Sequence, residues 1–347
     1  MRSESPLRLG IVGTGGIGKA YAMATGPSPS ISLTAVCDTN DEERRALGVT
    51  TGAAEFQSHE SLADSGLCDA VIVATPPSTH AAITIDCLER GLDVLCEKPF
   101  TLDVETACGM YEAAAREDLL LAMASKFRYV SDIAQARDLI RAGVVGRPTM
   151  IGVTFASHVD MSTRWNSVLS ISGGGVLIDN GTHAVDVIRY LVGPIRRVSA
   201  MRGLAERSFG VEDTAIILAE TDGHAIASIE VSWSISPHNE SYAVVHGTEG
   251  TIKVGWAGSF HRSADGGDWT PFGRGYSKMD ALKRNVENFA SARLGHEALR
   301  IETADVLASV SVVEGAYQAI DSRAWIDITE NDWAPSIDLG GAVGRAG

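Results

Sequence analysis

Three glycines in G-x-G-x-x-G spacing, Gly13-Thr14-Gly15-Gly16-Ile17-Gly18, stand between an apolar run and a helix-forming one. The run before them, Leu7 to Gly13, reads as a short buried strand. The run after them, Ile17 to Ala24, reads as a helix that Pro27 and Pro29 bring to an end. A second strand, Ile31 to Cys37, leads to Asp38, twenty positions after Gly18. Strand, glycine turn, helix, strand and acid in that order specify a dinucleotide-binding β-α-β unit. Gly13 permits the tight turn, Gly15 lets backbone approach a pyrophosphate, and Gly18 lets helix pack on strand. Gly16 and Ile17 open the helix, where N–H donors and the positive end of the helix dipole meet phosphate.

Asp38 is placed to accept hydrogen bonds from the ribose hydroxyls of an adenosine, and its charge repels a 2′-phosphate. Thr39 and Asn40 bring no cation, so NAD is expected and NADP disfavoured. Arg44 and Arg45, on the helix that follows, are the residues that would reverse this preference by folding back. A methyltransferase also places an acid after its second strand, but that reading leaves the lysine, acid and histidine described below without a part to play.

Asp69 to Thr75 is a continuous apolar strand stopped by Pro76-Pro77, Thr79 to Arg90 a helix ended by Gly91, and Leu92 to Cys96 the next strand. Strands that are apolar throughout and alternate with helices predict a parallel sheet covered on both faces. Ligands bind at the carboxyl ends of such strands. Thr75, Pro76, His80, Glu97 and Lys98 fall there and are expected along the cofactor, although His80 reads better as a surface residue at a helix start than as a catalyst.

The pattern changes after Ser125, which predicts a nucleotide-binding domain over residues 1–124 and a second, substrate-binding domain over 125–347. A helix over Asp132 to Ala142 precedes strands near Thr149–Ala156, Arg197–Met201, Thr214–Glu220, His224–Ser232, Tyr242–His246 and Gly250–Val254. Their partial alternation predicts a mostly antiparallel sheet. Ala257 to Gly275, rich in Gly, Ser and Asp, reads as a long loop, and two helices follow near Met279–Leu294 and Ile301–Ile320. The fold class is therefore α/β, a dinucleotide-binding Rossmann domain followed by a second α/β domain with a mostly antiparallel sheet.

Gly173-Gly174-Gly175 introduces a segment, Val176 to Val192, that reads as one helix. At about 100° per residue, Asp179, His183, Asp186 and Tyr190 fall within an arc of about 60° on it. The i, i+4 spacing lets Asp179 and His183 point into one cavity. The three glycines are expected to let backbone crowd against a ligand. A lysine at a strand end, a carboxylate and a histidine are the parts of an alcohol-to-ketone redox site. Arg128, Tyr129 and Trp165 are further candidates for substrate contact, the last by stacking on a ring.

The net charge is −15, which argues against a nucleic-acid partner, since phosphate backbones need a basic face. No apolar run reaches the roughly 18 residues that span a bilayer. The beginning of the chain lacks a signal-peptide core, so a cytoplasmic protein is expected. Cys37, Cys68, Cys87, Cys96 and Cys108 form no C-x-x-C pair and read as reduced buried thiols, and the scattered histidines predict no metal site.

The Gly13–Gly18 loop, Glu97-Lys98-Pro99 and the Gly173-to-Asp186 stretch, in this order, resemble the Gfo/Idh/MocA oxidoreductases, the family of glucose–fructose oxidoreductase and inositol dehydrogenase. The resemblance runs from near residue 7 to near residue 322. It implies an open sheet that packs against a partner subunit's, giving homodimers or homotetramers. It also implies substrates among polyols, sugars and their derivatives. By the same resemblance, Lys98 matches the lysine that touches nicotinamide ribose and substrate, and Asp179 and His183 match the acid and base beside the reacting hydroxyl. Asn180 and Thr182 stand at positions that vary within the family and so bear on substrate choice. Two other readings stay open: reduction of a non-sugar C=O or C=N bond, and a non-catalytic NAD-binding regulator of the same fold.

Overall fold

In the computed structural model, which describes residues 5–26, 28–203, 210–236 and 239–329, the first part of the chain alternates strand and helix. The order is β1 (Leu7–Val12), α1 (Gly16–Thr25), β2 (Ile31–Cys37), α2 (Asp41–Thr51), β3 (Ala54–Phe56) and α3 (His59–Ala63). It continues with β4 (Ala70–Val73), α4 (His80–Glu89), β5 (Asp93–Glu97), α5 (Val104–Arg116) and β6 (Leu121–Ala124). Then come α6 (Ser131–Arg141), β7 (Pro148–Ala156), α7 (Leu169–Ser172), α8 (Thr182–Val192), β8 (Ile195–Arg202), β9 (Thr214–Thr221) and β10 (Ile226–Ser232). The last are β11 (Ser241–Gly247), β12 (Gly250–Gly255), β13 (Ser259–Ser263), β14 (Thr270–Gly273), α9 (Lys278–Arg293), α10 (Thr303–Ser322) and β15 (Ile326–Asp327).

The first six strands form one sheet in the order β3-β2-β1-β4-β5-β6. Every neighbouring pair is parallel. β4 and β5 are buried at each residue, which is why their sequences show no polar alternation. The strand order reverses between β1 and β4, so the loops after these two strands diverge and leave a crevice at the sheet's carboxyl edge.

The compact unit built on this sheet includes Lys278–Val306 as well as the residues up to Lys126. Leu282, Val286, Phe289 and Ala290 of α9 pack into the same core as Leu9, Ile11, Tyr21 and Ile72. Ser28 also donates to Glu287 at 2.8 Å. A single division at residue 124, as read from the sequence, does not anticipate this return of the chain. The apolar face of α9 identifies a buried helix, and nothing in its pattern says which core takes it.

The second unit, Phe127–Ser277 and Leu307–Asp332, carries a nine-stranded sheet in the order β14-β13-β12-β11-β7-β10-β9-β8-β15. Among the described residues, only β7 and β10 run parallel in it. β9 alternates residue by residue, with Ala215, Ile217 and Ala219 buried. α8 packs on the face that Val153, Phe155, Ile229 and Val231 bury. By register, Met150, Met201, Leu218 and Ile226 share the opposite face, where all four are exposed.

The segment read as a long loop, 257–275, instead holds β13 and β14. They are the last two strands at one end of the sheet and mostly exposed, so no hydrophobic alternation marks them. The anchor that shapes this region is distant in sequence: the carboxylate of Asp132 accepts from Ser259 Oγ and from the amides of Arg274 and Gly275.

All five cysteines are free, and four are buried. Burial pushes the Cys37 and Cys87 thiols up to about 12, so neither forms thiolate near neutrality. Among the described residues, no helix is long and apolar enough to cross a membrane.

Candidate active site

In the first unit the glycine loop leaves β1 and opens α1 without any side chain capping the helix. Gly13 has φ 99°, and a Cβ there would lie 2.6 Å from the Ala74 carbonyl oxygen. A Cβ on Gly18 would lie 1.9 Å from the Gly13 carbonyl oxygen, so turn and helix start demand these two glycines. Gly15 and Gly16 have nothing within 4 Å of a Cβ position, which leaves their backbone open to a ligand. Ile17 is half-buried against the core of the unit.

Asp38 follows β2 directly. One carboxylate oxygen accepts from the amide and hydroxyl of Thr14, at 2.7 and 3.0 Å, and the other from the Asn40 amide at 2.8 Å. The acid is thereby tied to the glycine loop it would work with. Arg44 is only 4% exposed and turned inward, donating to the Asp38 carbonyl oxygen at 2.8 Å and to Asp41 at 2.5 Å. Arg45 is exposed and approaches Asp41 at 3.8 Å. An uncapped helix start, an open glycine backbone and an acid beside it fit the diphosphate and ribose of NAD.

At the ends of β4 and β5 the sequence candidates fall into three groups. Thr75 and Pro76 are half-buried after β4, with the Thr79 hydroxyl bonding to both. Glu97 is buried, accepts from Tyr21 Oη at 2.6 Å and from the Lys98 amide at 3.0 Å, and so holds the backbone of the lysine. Lys98 itself is half-buried directly after β5.

His80 corrects the expectation of a surface residue, since it is 1% exposed. Its Nδ1 lies 2.8 Å from the Pro99 carbonyl oxygen and its Nε2 lies 2.9 Å from the Thr75 carbonyl oxygen. It staples the loop after β4 to the loop that carries Lys98. Burial pulls its imidazole below the usual histidine value, while the two carbonyls act in the opposite direction.

In the second unit the Val176–Val192 segment is not one uniform helix. Leu177–Gly181 forms a π-helical turn and α8 begins at Thr182. Asp179 and Asn180 lie on this widened turn, half-buried, while His183 lies in the first turn of α8 and is 4% exposed. The His183 ring meets the edge of Phe127 with centroids 4.9 Å apart, and Phe155 at 6.5 Å. Asn180 donates to the Phe155 carbonyl oxygen over a long 3.5 Å. The Thr182 hydroxyl is buried and donates to the Ile178 carbonyl oxygen at 2.7 Å, so it turns into the helix and does not reach outward.

The other half of the polar stripe does different work. Asp186 is fully buried and pairs with Arg128 Nε at 2.7 Å. Arg128 also lies over the Tyr190 ring, 5.1 Å from its centroid. Arg128 and Tyr129, read as substrate contacts, are 3% and 2% exposed. Trp165 is 39% exposed on a short 3₁₀ turn, Trp165–Ser167. Removing one partner of a buried ion pair strands the other charge. Asp186→Ala is therefore expected to destabilise the fold by about 3–5 kcal/mol in denaturant unfolding. An unchanged midpoint would show that water reaches the pair.

The three glycines are explained differently from the sequence reading. Gly173 takes φ 76° and ends α7. A Cβ on Gly174 would lie 2.0 Å from Tyr317 Oη, and one on Gly175 would lie 1.8 Å from the Glu212 carbonyl oxygen. The glycines make room for the chain's own Tyr317 and Glu212. Glu212 lies 37 residues from Gly175, and no local pattern connects them.

Comparisons agree with this architecture. Residues 7–125 match the model described as the oxidoreductase family, NAD-binding Rossmann fold, and residues 133–253 match the Gfo/Idh/MocA C-terminal domain. The rhizopine catabolism protein MocA of Rhizobium meliloti is 26% identical over 317 residues, covering 90% of this chain and 95% of that protein. Inositol 2-dehydrogenase 4 of Saccharopolyspora erythraea is 30% identical over 236 residues, covering 66% and 68% respectively. Among solved structures, levoglucosan dehydrogenase in complex with NADH and levoglucosan superposes with a TM-score of 0.87 at 21% identity, over 94% of this chain and 100% of that one. Both halves of the chain match the two domains of one family in their proper order, and the chain belongs to the Gfo/Idh/MocA oxidoreductases.

Proposed function

We propose that this protein is an NAD-dependent dehydrogenase that interconverts a ring hydroxyl and a ketone on a sugar, cyclitol or sugar derivative. The observation that carries the reading is the pairing of Asp179 and His183 on one short segment, a π-turn running into α8, in a chain that keeps Lys98 at the end of β5. Relatives named for inositol and levoglucosan support the substrate class.

When bound, NAD accepts the hydride at its nicotinamide ring. The chain's own residues manage the proton and the charge. His183 takes the hydroxyl proton, a task for which histidine titrates in the right range. Lys98 donates to the oxygen as it gains negative charge. Asp179 bonds the hydroxyl or orients the histidine. Asn180 and Trp165 are assigned to substrate contact. Gly13, Gly15, Gly16, Ile17, Gly18, Asp38, Thr75 and Pro76 are assigned to the cofactor, with His80 and Glu97 supporting the loops that meet it.

The exposed face of the nine-stranded sheet, with Met150, Met201, Leu218 and Ile226, is assigned to contact with a second copy, giving a homodimer or homotetramer. Five free cysteines fit the reducing cytoplasm, the proposed location.

The decisive test is a dehydrogenase screen across polyols, sugars, sugar phosphates and nucleotide sugars with NAD and with NADP. Turnover of a cyclic hydroxyl with NAD is the expected result. Stoichiometric NAD binding without turnover of any of them would favour the regulator reading.

Cofactor choice carries its own prediction. Asp38→Ala should narrow the kcat/KM gap between NAD and NADP by about tenfold or more, since a carboxylate–phosphate repulsion is worth roughly 1–4 kcal/mol at partly solvated distances. The gap should not reverse, because Arg44 stays bound by Asp41. A wild-type preference for NADP would sink the assignment.

A further inference from the structure

Glu212 lies just before β9 and is 5% exposed. Its Oε1 accepts from the Gly175 amide at 2.9 Å, the Leu177 amide at 3.0 Å and Tyr317 Oη at 2.8 Å. Its backbone carbonyl accepts from the Val176 amide at 2.9 Å. One residue thus takes three consecutive amides, 175 to 177, at the start of the segment that carries the acid and the base. Amides at a helix start have no partner within the helix, and a negative charge there also meets the positive end of its dipole. Asp179 is two residues beyond the last of these bonds, and its own amide donates back to the Gly175 carbonyl oxygen at 3.2 Å.

Two features separate this anchor from ordinary packing. Among the described residues no cation pairs with the Glu212 carboxylate, which is met only by amides and one hydroxyl. A buried carboxylate without a cation costs desolvation that an apolar side chain of similar size would avoid, so stability alone does not explain it. The segment it holds also starts a π-turn, a wide geometry that α-helical bonding does not maintain unaided. Burial and the charge of Glu212 raise the Tyr317 phenol, which therefore stays protonated and remains a donor. The close approach requires Gly174 and Gly175, since a Cβ on either would meet Tyr317 Oη or the Glu212 backbone.

We propose that Glu212, backed by Tyr317, is a positioning residue that fixes the start of the π-turn and through it the placement of Asp179 and His183. The inference rests on the dehydrogenase reading for its kinetic consequence, and on the anchor alone for its structural one.

Glu212→Ala, Glu212→Gln and Tyr317→Phe, made in the full chain, test it by two readouts. In steady-state kinetics on an accepted substrate, Glu212→Ala should lower kcat per folded molecule by about 10²-fold, the cost of roughly 1 Å of misplacement, with the Kd for NAD unchanged. Glu212→Gln, whose amide oxygen still accepts, should recover about tenfold of that loss, and Tyr317→Phe should lie between the alanine variant and wild type. In hydrogen exchange of the free protein, amides over 175–183 should exchange faster in Glu212→Ala while those of β1 and β12 do not. Unchanged exchange over 175–183 overturns the anchor whether or not the protein proves to be a dehydrogenase. Faster exchange with undiminished kcat in Glu212→Ala overturns the positioning role and leaves the dehydrogenase reading intact. If Glu212→Ala fails to fold, the same two readouts on Tyr317→Phe decide: local acceleration with reduced kcat supports the inference, and wild-type values of both overturn it. If wild type turns over no substrate, the dehydrogenase reading falls and exchange alone decides the anchor.

Discussion

Replacing His183 by asparagine is expected to lower oxidative kcat/KM by roughly 10² to 10⁴, the usual worth of a general base. The wild-type rate should fall at low pH along a single ionisation, because a protonated imidazole has no lone pair for the hydroxyl proton. The sign follows from the direction of reaction: oxidation consumes the neutral form of the base, so activity is present above its pKa and lost below. His183→Asn should remove that limb. The residue lies 4% exposed against Phe127, so asparagine fills less than the original volume but adds no charge. Asp179→Asn should also be harmful, and the double variant should lose less than the product of the two single losses, as residues that act together do. An unaltered pH profile in His183→Asn would mean that the proton leaves by another group, with Lys98 the first to test. Strict additivity would mean that Asp179 holds substrate independently of the histidine.

Lys98→Ala should lower kcat by about 10² to 10³, the effect of losing one donor to an oxygen that gains charge in the transition state. NAD binding should survive, because the glycine loop and Asp38 belong to other strands of the sheet. Glu97 would still accept from Tyr21, and the loop would keep its His80 staple through the Pro99 carbonyl oxygen. Isothermal titration with NAD separates the two effects. A near-wild-type kcat in Lys98→Ala excludes the lysine from the chemistry, whereas loss of NAD affinity would make it a cofactor residue first.

Much of this protein can be read in one dimension. The nucleotide-binding unit is legible because its information is local: Gly13, Gly15 and Gly18 lie in one turn, Asp38 follows the next strand, β4 is apolar throughout and β5 is apolar between its two acidic ends. Asp179 and His183 stand out for the same reason, since they lie four residues apart in one short segment. The chain's motifs in order identify its family and, with it, the fold.

Tertiary structure decides the rest, because what matters there is which distant residue arrives. Helical spacing grouped Asp179, His183, Asp186 and Tyr190 as one polar stripe, and the arrival of Arg128 divides it, with Asp186 and Tyr190 engaged by a buried guanidinium. A histidine at a helix start reads as exposed until the Thr75 and Pro99 carbonyls close on both sides of His80. The apolar face of α9 says that the helix is buried, and only the folded chain chooses the first core for it. Three glycines before an acid suggest room for a ligand, and the space is taken by Tyr317 and Glu212, the latter 37 residues from Gly175. The physical reason is common to these cases. Backbone propensity and periodicity are short-range and are written in neighbouring residues. Desolvated polar groups must find partners wherever the fold supplies them, and sequence distance places no limit on that search.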